Sequence, residues 1–169
     1  MKIFSFTLLF ILSMMSGYAE NTVKVLFSPD NNVAFSAYEA GGLLKYKISY
    51  KGKPVILESQ LGIDGWSQNL EIERIDSLSV NKTWPPVYGE RAVVEDCYKE
   101  YSYTLKIKGR GSRLALIVRA YNSGIGFRYK YLGSSYLRIS KEETTFVVPE
   151  NTYCWFAPFA QAEHKRMLV

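Results

Sequence analysis

The chain has 169 residues, 21 Lys plus Arg against 16 Asp plus Glu, a formal charge of +5, and 47% hydrophobic and 15% aromatic residues. Those proportions exclude a disordered chain, two cysteines exclude a disulfide-dense miniprotein, and a single histidine, His164, excludes a multi-histidine metal site within the chain. Carboxylates, aromatic rings and shape are left to carry any function.

The first element is a leader. Lys2 precedes an apolar run from Ile3 to Met15, and Gly17 and Ala19 are the small residues that a signal peptidase reads. The run is shorter than the ~20 residues of a membrane span. Residues 1–19 are therefore expected to be a cleaved secretory signal, which predicts a periplasmic or secreted protein with no membrane contact after cleavage.

Residues 20–169 are expected to form one domain. Short strand candidates at 23–27 and 33–38 are followed by a clear alternation in which Leu44, Tyr46, Ile48 and Tyr50 face one way and Lys45, Lys47 and Ser49 the other. A further short candidate lies at 70–75. Tyr101, Tyr103, Leu105 and Ile107 repeat the alternation, the continuous run Leu114 to Val118 suits a more buried strand, and Phe127 and Tyr129 alternate with Arg128 and Lys130. A last candidate spans 144–148. Gly41-Gly42, Lys51-Gly52-Lys53, Gly109-Arg110-Gly111 and Asn122-Ser123-Gly124 punctuate these runs as turns. No apolar helical period is sustained over three turns, so the expected class is an all-β sandwich.

Basic residues are spread along the strands rather than gathered into a patch, which argues against nucleic acid as a partner. Nucleophile, phosphate-loop and zinc motifs are absent. Glu142 and Glu143 are adjacent, so a strand would send them to opposite faces and they cannot form an acid–base pair. Glu90 follows the rigid loop Trp84-Pro85-Pro86-Val87-Tyr88-Gly89 and either contacts a ligand or pairs with Arg91 or Arg119. Trp66, Trp84 and Trp155 are candidates either for stacking on a sugar ring or for core packing. Cys97 and Cys154 either bridge two strands or remain thiols. The aromatic segment 149–159 near the end of the chain calls for cover by the sandwich or by a partner.

The succession of Ser28-Pro29-Asp30-Asn31, Lys51-Gly52-Lys53-Pro54-Val55, Thr83-Trp84-Pro85-Pro86-Val87-Tyr88-Gly89-Glu90, Tyr98-x-Glu100 and Arg119-Ala120-Tyr121-Asn122-Ser123-Gly124-Ile125-Gly126-Phe127-Arg128-Tyr129 resembles the N-terminal domain of glycoside hydrolase family 97. Glu142-Glu143-Thr144-Thr145-Phe146 and Trp155-Phe156-x-Pro158 continue the order. The resemblance implies a β-supersandwich of the galactose-mutarotase-like kind, whose C-terminal edge is incomplete here, ahead of a missing (β/α)8 barrel. It further implies an exported α-glucosidase or α-galactosidase whose catalytic carboxylates lie on the barrel, so that this chain alone is inactive. Calcium is the implied cofactor, with Glu163 matching the glutamate that the domain contributes to it, and an α-glucoside or α-galactoside is the implied ligand of the whole enzyme. One glutamate cannot satisfy an ion that takes six to eight oxygens, so the site would need barrel carboxylates and water. The competing reading is a free-standing exported carbohydrate-binding module using Trp84, Glu90 or Trp155.

Overall fold

The computed structural model describes residues 23–156 and 165–168. The leader, Glu163 and His164 lie outside the described residues. Four strands, β1 (Val25–Phe27), β2 (Val33–Ala40), β3 (Leu43–Tyr50) and β4 (Lys53–Leu61), form one antiparallel sheet in sequence order. A second antiparallel sheet contains β5 (Leu70–Trp84), β6 (Val94–Ile107), β7 (Arg113–Tyr121) and β8 (Gly124–Tyr131), again in order. The strands β9 (Tyr153–Phe156) and β10 (Lys165–Leu168) pair only with each other among the described residues. No helix occurs in the described residues, and the chain is an all-β sandwich.

Turn chemistry sets the register of the first sheet. Gly41-Gly42 and Lys51-Gly52 are two-residue connections with φ of 62°, 78°, 50° and 76°, the double left-handed geometry whose twist matches the flanking strands. The register Phe35↔Ile48 and Ala37↔Tyr46 follows, placing the alternate apolar residues of β2 and β3 on one face.

That face meets the inner face of the second sheet. Phe35 and Tyr46 stack at 5.9 Å, Phe35 meets Tyr103 edge-on at 6.4 Å, and Tyr46 meets Phe127 at 6.2 Å. Leu105, Leu114, Leu116 and Val118 complete the core, and Trp66 is buried with it, which settles that tryptophan as a packing residue. Each such side chain withdrawn from water contributes about 1.5–3 kcal/mol before entropy is counted. Among the described residues the Tyr103 hydroxyl has no hydrogen-bond partner, whereas the Tyr46 hydroxyl donates to the Thr145 carbonyl at 2.8 Å.

The segment expected as a strand at 144–148 is irregular but runs along β4. Leu57 N–H donates to Val147 O at 2.8 Å, Thr145 N–H to Gln60 O at 2.9 Å and Glu143 N–H to Gly62 O at 2.9 Å, so the segment closes that sheet edge.

Candidate functional site

Trp84, Glu90 and Trp155 occupy the periphery. Trp84 ends β5 and is 49% exposed, and the following loop lifts Val87 and Tyr88 to 98% and 89% exposure. Glu90 is exposed in the same loop. It forms no ion pair among the described residues, and the expected partner Arg119 is taken by Glu100 instead. Trp155 lies on β9 at 76% exposure, opposite Arg166 of β10, whose guanidinium sits 4.0 Å from the Tyr153 ring centroid. No ring contact, hydrogen bond or ion pair among the described residues joins Trp84, Glu90 and Trp155.

Cys97 and Cys154 are both free thiols. Cys97 Sγ donates to Asn81 Oδ1 at 2.9 Å across the β5–β6 pair, while Cys154 stands opposite Met167 in the β9–β10 ribbon. The two sit on separate pairs of strands, and the bridge considered from the sequence is not formed.

A groove of about 790 Å³ between β2 and β5 collects Glu39, Glu71 and Glu73 with Lys24 and Arg74. Two of its carboxylates are already engaged. Hydrogen bonds from Lys106 and then Lys108 hold Glu71 below the ordinary glutamate range, and Arg113 does the same for Glu73 through contacts of 2.6 and 2.8 Å. Both are solvent-facing strand pairs that stay ionised at neutral pH, which suits neither a general acid nor an uncommitted base. Glu142 bonds to Thr144 and Glu143 pairs with Lys141 at 3.5 Å, in keeping with the expectation that these neighbours do not act together.

The best-built polar cluster joins residues from different strands. Arg119 on β7 donates from Nε to Glu100 on β6 at 2.7 Å, and its guanidinium lies 4.3 Å from the Tyr98 ring centroid. Tyr98 in turn packs against Tyr121 at 5.2 Å. The four positions alternate outward on neighbouring strands, so they share the outer face of the second sheet. In the sequence Tyr98-x-Glu100 and the block beginning at Arg119 stand as two separate motifs, since joining them requires the β6–β7 register. This cluster is held together by stacking and charge. It contains no second carboxylate at the separation of roughly 5–9.5 Å that glycoside hydrolysis uses.

Among the described residues no three His, Cys, Asp or Glu side chains converge.

With this geometry in view, comparison with known proteins is specific. The Glycosyl-hydrolase 97 N-terminal family matches residues 26–167. A retaining alpha-galactosidase of Bacteroides thetaiotaomicron is 26% identical over 156 residues, covering 89% of this chain and 22% of the relative. A Glycoside Hydrolase Family 97 enzyme from Pseudoalteromonas sp., solved in complex with acarbose, superposes with a TM-score of 0.76 at 27% identity, over 86% of this chain and 24% of that one. The same enzyme with panose, as a single-substitution variant, gives a TM-score of 0.72 at 29% identity over 80% of this chain and 22% of that one. The chain thus spans less than a quarter of the length of these relatives. It belongs to the glycosyl-hydrolase 97 N-terminal family.

Proposed function

We propose that this chain is the non-catalytic N-terminal sandwich of an exported, calcium-dependent α-glycosidase, docking on a (β/α)8 barrel and inactive without it. The supporting observation is coverage: nearly all of this chain matches 22–24% of relatives whose descriptions are a galactosidase and an enzyme bound to acarbose or panose. Within the assembled enzyme Glu163 supplies one calcium ligand, and carboxylates of the barrel and water supply the others. Residues 1–19 direct export and are removed.

The test uses the 169-residue chain co-expressed with the Pseudoalteromonas enzyme lacking its matched N-terminal region. The two parts should co-purify, bind calcium together, and lose calcium affinity on Glu163→Gln, whereas unchanged affinity in that variant would remove Glu163 from the site. Mass analysis of the exported chain should find an N-terminus at Glu20.

The exposure of Trp84 and Trp155 supports a second reading, a carbohydrate-binding module. Calorimetric binding of panose to the chain alone, abolished by Trp84→Ala or Trp155→Ala, would favour that reading over the first.

A further inference from the structure

Beyond the Lys99↔Ala120 pair, β6 has β5 for a neighbour but no longer β7. Residues 80–84 and 94–98 therefore extend past the body as a two-stranded ribbon, an arrangement of marginal stability in water unless one face is covered. Its two faces differ in apolar content. Alternation from the Leu78↔Glu100 and Val80↔Tyr98 pairs puts Leu78, Val80, Trp84, Val94 and Tyr98 on the outer side with the Lys82↔Asp96 pair among them, whereas the side continuous with the inner face carries Ser79, Asn81, Thr83, Glu95, Cys97 and Lys99. The side richer in large apolar residues is thus the one turned away from the sandwich core. Leu78 is 52% exposed there, whereas Tyr98 is already buried against the Arg119 guanidinium and Tyr121, and the outer surface runs on into the Arg119–Glu100 pair.

A core supplies no reason for such a pattern on the outer side, whereas an interface does, because a central apolar patch beside one charge pair and an aromatic–arginine stack is interface composition. We infer that the outer face of the β5–β6 ribbon, from Leu78 at its root to Trp84 with Val94 and Arg119, is the surface that packs against the remainder of a family 97 polypeptide. The occupant follows from the relatives, in which the matched region is accompanied by more than three times its length of further chain. This inference rests on the docking reading above and deepens it by naming the surface.

The test is retention of the tagged 169-residue chain by the Pseudoalteromonas enzyme lacking its matched region. Leu78→Asp with Val80→Asp, and separately Trp84→Asp, should cut retention about tenfold or more, while Ser79→Asp on the opposite side leaves it unchanged. Far-UV circular dichroism verifies that each variant folds. As a measurement needing no variant, amides of residues 78–84 and 94–98 should gain hydrogen-exchange protection when the partner is added. Retention and protection indifferent to the outer face would overturn the surface while leaving docking intact. Failure of the unaltered chain to be retained would overturn docking and the surface together. A dimer of the chain that Leu78→Asp with Val80→Asp converts to monomer would assign the face to a second copy instead.

Discussion

The sandwich body and the β5–β6 ribbon are built from the same kind of strand, with the same alternation, yet they use it in opposite senses. In the body the apolar set of β6, Tyr103, Leu105 and Ile107, turns inward and is buried against Phe35 and the residues around it. Along the ribbon Val80, Trp84 and Val94 turn outward beside Lys82 and Asp96, and the side continuous with the core carries mainly small and polar residues such as Asn81, Thr83 and Cys97. Alternation alone therefore specifies two faces. Which one is buried depends on what else is present, and the proposed cover of the ribbon's outer face is a partner.

The sharpest way to break this contrast is to truncate one leucine in each region. Leu116→Ala removes a fully buried side chain, and a loss of about 2–5 kcal/mol is expected in urea denaturation. Leu78→Ala should fall within about 0.5 kcal/mol of the unaltered protein. Equal effects would mean that the ribbon is as much a part of the core as β7.

Alkali tests the body alone. Burial raises Tyr46 and Tyr129 from 10.0 to about 12, and it raises Tyr103 further in the same direction. The unfolded chain then ionises first, so stability is full below pH 10 and falls as pH rises towards 12, reported by loss of circular dichroism. At the acid end Glu58, Glu71 and Glu73 are lowered from 4.5 by their hydrogen-bonding partners. Their contribution is present above about pH 4.5 and lost as pH falls through their folded values, a small effect because all three are solvent-facing.

Within the core, two tyrosines should respond differently to loss of the hydroxyl. Tyr46→Phe removes the donor to the Thr145 carbonyl and should cost about 1 kcal/mol in the same denaturation assay. Tyr103→Phe removes a buried hydroxyl without a partner, and the variant should be as stable as the unaltered protein or more so by about 1 kcal/mol. A Tyr103→Phe protein less stable than Tyr46→Phe would show that the Tyr103 hydroxyl is satisfied in solution.

Local patterns made much of the body legible. The Gly41-Gly42 and Lys51-Gly52 turns, the alternation across β3 and the apolar run of β7 lead to the same strands that the structure shows, because each is decided by neighbours a few residues away. Strand β5 was readable only for its first residues, 70–75. A register shift between Ile72 and Arg74 breaks its period, and its later apolar residues lie on the outer side among polar ones. The site is less legible still. Joining Glu100 to Arg119 needs a register between strands distant in sequence, and Trp66 resembles Trp84 as a letter although one is buried and the other exposed. The family pattern named the domain because it spans the whole order of segments, which no single turn or strand does.

The central claim, a sandwich that serves an enzyme without being one, meets its most direct test in hydrolysis of p-nitrophenyl α-glucoside and α-galactoside by the purified 169-residue chain with calcium present. The expected rate is that of the buffer blank at every chain concentration. Hydrolysis that rises in proportion to chain concentration would contradict it.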